Sequence, residues 1–268
     1  MAQVHPSAIV DKAAQLGTDV VVGPNCVVGE GSVIGSGTVL EANVVIGPKV
    51  KIGNNNRFFP FSVIGTRPQI LAMGADDPLG GLTIGNNNIV REQVTVHPSI
   101  YADHFTKIGD NNFLMIGVHI GHDCKLEDKL VLSNYVQISG HCKIETGVWL
   151  SGMVLLHQFV TVGRWCYAAG MAGLNHDVTP FTLVSGHYPP VVRGINKRGL
   201  VRAGLSEEQQ NNIFEAYKRL YRNSQPLLEN ATAMAAEQNH DENVRAMLDS
   251  IINSSKQRFG RYLETFRH

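Results

Sequence analysis

An apolar residue recurs every six positions along most of this chain, and no other feature narrows the fold so far. The first run is Val4, Val10, Leu16, Val22, Val28, Ile34, Leu40, Ile46, Ile52, Phe58 and Ile64. The phase then jumps to Ile84, Val90 and Val96. It restarts at Ile108, Leu114, Ile120, Leu126, Leu132, Ile138, Ile144, Leu150, Leu156, Val162, Ala168 and Leu174. An α-helix cannot generate this period, because its faces repeat at about 3.6 residues. Three short strands per turn, one hexapeptide per side, generate it directly. The expectation is an all-β solenoid, a left-handed parallel β-helix over residues 1–188. A small α-helical domain is expected over 189–268.

The intervening positions agree with such a coil. Gly follows the apolar residue at Gly23, Gly29, Gly35, Gly47, Gly53 and elsewhere, which suggests corners needing torsions that Gly adopts cheaply. Asn54–Asn56 and Asn86–Asn88 suit the same corners, since Asn tolerates positive φ. Four residues after the apolar site comes a small or β-branched residue, which strand alternation also turns inward. Cys26, Cys124, Cys142 and Cys166 all hold that register. Their spacing lacks a metal-ligand pattern and reads as buried filler.

The breaks locate two insertions, Gly65–Thr83 and His97–Lys107. Loops leaving a rigid scaffold are where function concentrates. Beyond Leu174 the stretch Pro180–Gly204 reads as irregular. Ser206 with Gln209 then makes a capping-box pattern, and Ile213, Phe214, Tyr217, Leu220 and Tyr221 form an apolar stripe of helical period. Further helices are expected over Pro226–Glu237 and Glu242–Leu263.

Composition removes several classes of function. The formal net charge is zero, whereas a general nucleic-acid binder carries a basic excess. No run of about 18 apolar residues exists, so no span of a membrane is expected. Met1–Ser7 lacks the basic and apolar regions of a signal peptide. A cytoplasmic protein with reduced cysteines is expected.

The histidines fall on this frame in an informative way. Residues 18 apart stack one strand spacing, about 4.8 Å, above each other. His122, His141 and His157 project onto neighbouring positions of one coil, with His119 close by, Asp123 adjacent and Gly140 stacked on His122. None occupies the inward register. His is the usual general base near neutral pH. Asp123 can orient His122 only if the pair sits at a corner, since neighbours on a strand point oppositely. A Gly beside the base leaves a backbone N–H open to an oxyanion. Base plus oxyanion donor is what acyl transfer to a hydroxyl requires, and a metal site is the other use of clustered His.

The segments Gly117-Val118-His119-Ile120-Gly121-His122-Asp123-Cys124, Ser139-Gly140-His141 and Leu156-His157-Gln158-Phe159 resemble the UDP-N-acetylglucosamine acyltransferases that open lipid A biosynthesis. Arg91-Glu92, Val94–His97 and Gly194–Leu200 extend the resemblance over essentially the whole chain. It implies a homotrimer with active sites between neighbouring β-helices. It also implies transfer of an (R)-3-hydroxyacyl group from acyl carrier protein to the 3-hydroxyl of the UDP-sugar, with no cofactor and no resident metal. By position, it makes His122 the general base, Asp123 its partner and Gly140 the oxyanion donor. His119, His141, His157 and Gln158 become substrate positioners, and Asn196 and Arg202 nucleotide contacts. Gly170, or Met171 one residue on, falls where acyl length is limited.

Three positions depart from that pattern. Ile70 and Ala72 stand where the family has Asp and Lys that help hold the sugar nucleotide, and Arg198 stands where Glu is usual. Asp76 and Asp77 follow in the same loop. These departures suggest a divergent member acting on a related sugar nucleotide, the 3-amino analogue included. Two other readings stay open. One is an acetyl-CoA-dependent hexapeptide acetyltransferase. The other is a metalloenzyme like the γ-carbonic anhydrases. The basic group Arg193, Lys197, Arg198 and Arg202 is either a solvated loop or an anchor for a diphosphate or the acidic carrier protein.

Overall fold

The computed structural model describes residues 1–74, 76–237 and 239–267. They form two compact units, Met1–His141 and Cys142–His268.

The first unit is built mostly of two-residue strands at the six-residue period, stacked in parallel in three sheets. One sheet aligns Val22, Leu40, Phe58, Val90, Leu114 and Leu132. A second aligns Val10, Val28, Ile46, Ile64, Val96, Ile120 and Ile138. The third aligns Leu16, Ile34, Ile52, Ile84, Ile108 and Leu126. Stacked partners are 18 residues apart, widening to 32 across the first insertion and 24 across the second. This is the left-handed parallel β-helix that the period implies. Its aligned apolar residues are almost all inaccessible to water, as are the inward residues four positions on, such as Val44, Val118 and Val136. Burying each Val, Leu or Ile contributes about 1.5–3 kcal/mol.

The corners differ from expectation in one respect. The left-handed torsion falls three residues after the apolar site, not one. It recurs at Asp19, Asn25, Gly31, Gly37, Asn43, Lys49, Asn55 and Phe61, and later at Asn87, Asp123 and His141. The Gly that directly follows the apolar site is needed for space. A Cβ on Gly23 would sit 1.9 Å from the carbonyl oxygen of Glu41 in the next coil.

The Asn triplets build ladders as expected, one on each side of the wall. Inside, the Thr38 hydroxyl accepts from the Asn56 N–H. The amide oxygens of Asn56, Asn88 and Asn112 then accept in turn from the N–H groups of Asn88, Asn112 and Leu130, at 2.8–2.9 Å. Outside, Asn54, Asn86, Asp110 and Asp128 do the same for Ser36, Asn54, Asn86 and Asp110. All four cysteines are buried, and each Sγ–H donates to a carbonyl, those of Glu41, Ser139, His157 and Thr179. Burial pushes the Cys166 thiol up to about 12.

The second unit opens with the same kind of coil, pairing Lys143 with Thr161, Trp149 with Tyr167 and Leu155 with Gly173. The stretch expected to be irregular is instead ordered. Strands Thr182–Ser185 and Val191–Ile195 form an antiparallel hairpin whose turn contains the cis Tyr188–Pro189 bond. Helix α1, Lys197–Arg202, follows.

Helix α2, Glu207–Tyr221, starts on the predicted Ser206–Gln209 capping box. Helices α3, Leu227–Ala235, and α4, Glu242–Ser255, complete the set. Their apolar faces meet Phe181, Ile195 and Leu200 in one cluster. Helix α4 ends at Ser255, before the expected Leu263, and Gly260 beyond it takes a positive φ. The chain then folds back so that the Asp177 carboxylate accepts the Tyr262 N–H at 2.8 Å. Among the described residues no helix is long and apolar enough to cross a membrane.

Candidate active site

Asp123 occupies a left-handed corner, with φ of 60°. That torsion lets two neighbouring side chains converge where a strand would separate them. Asp123 Oδ2 lies 2.8 Å from His122 Nδ1. Both side chains are largely buried, 13% and 8% exposed. The rest of the carboxylate is also occupied. The Ser99 hydroxyl donates to Oδ1 and the Ile100 N–H to Oδ2 at 3.3 Å. The backbone of Asp123 is fixed as its N–H donates to the Thr106 hydroxyl at 2.8 Å. Burial alone would raise the Asp123 pKa. The bonds from His122, Ser99 and Ile100 outweigh it and hold the carboxyl below its ordinary range. Asp123 is thus a carboxylate at neutral pH. A proton on His122 Nδ1 satisfies it, which leaves Nε2 as the imidazole's lone-pair nitrogen.

Gly140 stacks on His122 as the 18-residue offset requires. A Cβ there would lie 2.6 Å from His122 Nε2 and Cε1, so only Gly leaves room for the ring. The Gly140 N–H meets no protein acceptor among the described residues. His141, next along, stands edge-on to His122 with ring centroids 4.9 Å apart. Tyr101 packs 6.1 Å from His141.

His119 lies on the strand leading into the corner, its Nδ1 2.8 Å from the Thr95 hydroxyl. Burial, reinforced by His97 and His122, lowers its pKa to about 4, so it is neutral at physiological pH. His97 stacks edge-on to His119 at 5.4 Å, with Nδ1 on the Thr66 carbonyl and a buried Nε2 that has no partner among the described residues. Burial, the Thr66 carbonyl and His122 act on His97 in that order, with a net lowering of its pKa.

The first unit therefore brings together His119, His122, Asp123, Gly140 and His141. Atoms of His122, Asp123 and His141 lie within 4.8 Å of one another, a set that could hold a metal ion. A cation there would have to displace donors that already fill the Asp123 oxygens.

The other predicted residues belong to the second unit. His157 and Gln158 are exposed at a corner, with His157 Nδ1 3.0 Å from the Gln158 carbonyl. Gly170 is exposed, and a Cβ there would meet only the Gly152 carbonyl at 3.5 Å. Met171 is 70% exposed. Asn196 caps α1, accepting from Gly199 N–H and donating to the Trp165 carbonyl. The Arg202 guanidinium lies 4.9 Å over Trp149 and 5.9 Å over Trp165. The two tryptophan faces hold Arg202. Lys197 lies 5.2 Å over the Phe214 ring.

In the first insertion Arg67 donates to the carbonyls of Gly74 and Asp77, and Asp77 accepts the Gly74 N–H at 2.7 Å. Asp77 thus holds its own loop together, while Leu71 is fully exposed. Sequence reasoning missed Ser99, Ile100 and Thr106. All three lie in the second insertion, where the six-residue frame lapses.

The description of bacterial transferase hexapeptide (six repeats) matches residues 31–66. That of UDP-N-acetylglucosamine O-acyltransferase, domain 2, matches residues 177–260. The acyl-[acyl-carrier-protein]–UDP-N-acetylglucosamine O-acyltransferase of Halorhodospira halophila is 42% identical over 257 residues, which cover 96% of this chain and 98% of that protein. This chain belongs to that acyltransferase family. The family's protein from Campylobacter jejuni is 44% identical over 257 residues, covering 96% of each. Among solved structures, the UDP-N-acetylglucosamine acyltransferase of Francisella novicida superposes with a TM-score of 0.89. It is 35% identical and covers 96% of this chain and 93% of its own. The Arabidopsis UDP-N-acetylglucosamine acyltransferase superposes at 0.78 with 29% identity, covering 95% of this chain and 98% of its own. The acyltransferase family thus carries the same coil and the same helical tail.

Proposed function

We propose that this protein transfers an (R)-3-hydroxyacyl group from acyl carrier protein to the 3-hydroxyl of UDP-N-acetylglucosamine, the first step of lipid A biosynthesis. The observation that carries the proposal is the His122–Asp123 pair at 2.8 Å with Gly140 against the Nε2 edge. His122 Nε2 accepts the proton of the sugar hydroxyl as its oxygen adds to the thioester carbonyl. The Gly140 N–H meets the oxyanion. Collapse breaks the carbon–sulfur bond, and His122 returns the proton to the departing thiol. Asp123 steadies the imidazolium in between.

In this reading His119, His141, His157 and Gln158 position the substrates, and Asn196 and Arg202 contact the nucleotide. The open space at Gly170 and the exposed Met171 admit the acyl chain. The enzyme works in the cytoplasm as a homotrimer without a cofactor, because the thioester already carries the activated acyl group. Dialysis against EDTA is expected to leave the rate unchanged.

The test is mass spectrometry of a reaction with UDP-N-acetylglucosamine and a panel of (R)-3-hydroxyacyl carrier proteins, run beside His122→Ala. A mono-acylated product that the variant fails to make is expected. No product from any donor would refute this reading.

One observation favours a related acceptor. Ile70 and Ala72 bring no charge to the sugar-nucleotide loop, and Asp77 is tied to Gly74. Offering the 3-amino sugar nucleotide in the same assay distinguishes the two acceptors, since an amide product survives alkaline hydrolysis and an ester does not.

A further inference from the structure

We propose that Ser99 is a positioning residue of this reaction: its hydroxyl, delivered by the second insertion, locks the Asp123 carboxylate in the orientation that keeps His122 aligned as a base. The inference rests on the acyl-transfer reading for its rate effect, and on geometry alone for its effect on His122.

Ser99 is completely buried although it lies in an inserted loop. Its backbone is held on both sides, as its N–H donates to the Gly81 carbonyl at 3.2 Å and its carbonyl accepts from the Gly80 N–H at 2.9 Å. The loop is thereby stitched to the rim of the first insertion, and the hydroxyl has a fixed origin. That hydroxyl carries a single proton and has two acceptors in reach, Asp123 Oδ1 and the Tyr101 carbonyl at 3.2 Å. The charged acceptor is the closer and the stronger. The lone pairs of Ser99 Oγ meanwhile receive the Tyr101 N–H at 3.0 Å, which fixes the rotor toward Asp123.

The division of labour on the carboxylate is then clear. Oδ2 serves His122 Nδ1 and the Ile100 N–H, and Oδ1 serves Ser99. A carboxylate bound through Oδ2 alone can swing about its terminal torsion, which is a soft one. Binding Oδ1 as well removes that freedom. It also draws charge from the carboxylate, so less of that charge faces the imidazole ring.

Two readouts test this. Replacing Ser99 with Ala is expected to lower kcat about tenfold or more with KM for both substrates within about twofold. The acidic limb of the pH–kcat profile is expected to move to higher pH by about 0.5 unit or more, because an unrestrained carboxylate stabilises the His122 imidazolium better. The same upward shift is expected in the titration of the His122 ring carbon, followed by NMR in protein labelled at histidine and assigned with His122→Ala. That titration needs no turnover, so it decides the role of Ser99 even if no acyl donor is accepted.

If Ser99→Ala melts early, Ser99→Cys carries the same test, since a thiol fills nearly the same space and is a weak donor. Ser99→Thr, which keeps the hydroxyl, is expected to restore the wild-type limb. An unmoved His122 titration in both the Ala and Cys variants overturns the proposal, as does a shift that Thr reproduces.

Discussion

Gly140 faces the ring edge of His122, and adding one methyl group there would place carbon 2.6 Å from the nitrogen that takes the proton. Real contacts do not come that close, so the ring must turn. A shift of about 1 Å at a reacting group lowers rates about 100-fold. Gly140→Ala should therefore lose about two orders of magnitude in kcat while its thermal unfolding stays near wild type, as read by steady-state assay beside calorimetry. His119 makes a second prediction. Its folded-state pKa of about 4 lies below the ordinary value near 6.5. Between those two values the unfolded chain takes up a proton that the folded chain refuses, so stability falls as pH drops from about 6.5 toward 4. His119→Gln, which can still meet the Thr95 hydroxyl, should flatten that decline in a melting series from pH 7 to pH 4. The sequence revealed the stacking of His122, His141 and Gly140, because an 18-residue offset is arithmetic once the period is known. It left the Asp123 contact conditional on a corner, and the corner turned out to lie at Asp123 itself. Ser99 could not be read, because it sits where periodicity offers no coordinate.

Most strands contain only two residues, so the elements that hold the coil in register are the ladders. Asn88 accepts from the Asn112 N–H, and its own N–H and amide nitrogen donate to Asn56 and to the Gly109 carbonyl. Replacing it with Leu keeps the volume and removes the amide. Orphaned groups in a dry interior cost about 1–3 kcal/mol each, so Asn88→Leu should shift the urea midpoint strongly without altering the far-ultraviolet spectrum at low urea. At the start of α2, Ser206→Ala removes the hydroxyl that accepts the Gln209 N–H and should cost about 1 kcal/mol. Element starts such as Ser206 were readable, because capping is local chemistry. The ends were less so. Helix α4 ends at Ser255, and beyond it Gly260 turns and Asp177 captures the Tyr262 N–H, a partner 85 residues away. The Thr182–Ile195 hairpin was hidden by its Pro and Gly content, which reads as loop unless the long-range pairing is known.

At the largest scale the first unit is a stack in which each turn rests on its neighbours, so its stability is nearly a sum of adjacent interfaces. Insertions are tolerated only where they are extruded sideways. Both of the large ones leave the same side of the first unit, and the second carries Ser99 to Asp123. Removing residues 67–80 returns the offset across the first insertion from 32 to the 18 found elsewhere. The shortened chain should keep its β-rich circular dichroism spectrum and lose activity, a pairing that would separate the scaffold from the chemistry it displays.

The four interior thiols give the turns that hold them a built-in recorder of their own opening. While a turn is closed, its thiol is buried and donates to a carbonyl, out of reach of a reagent. Labelling therefore waits for local unfolding, and the time at which each sulfur becomes modified dates the opening of its own turn. Cys26 lies one turn from the first, whose Val4 and Ile9 are still exposed to water. It should be marked first in a pulse of alkylating reagent, well ahead of Cys124, so that peptide mapping of a single time course would chart how far fraying travels inward along the coil.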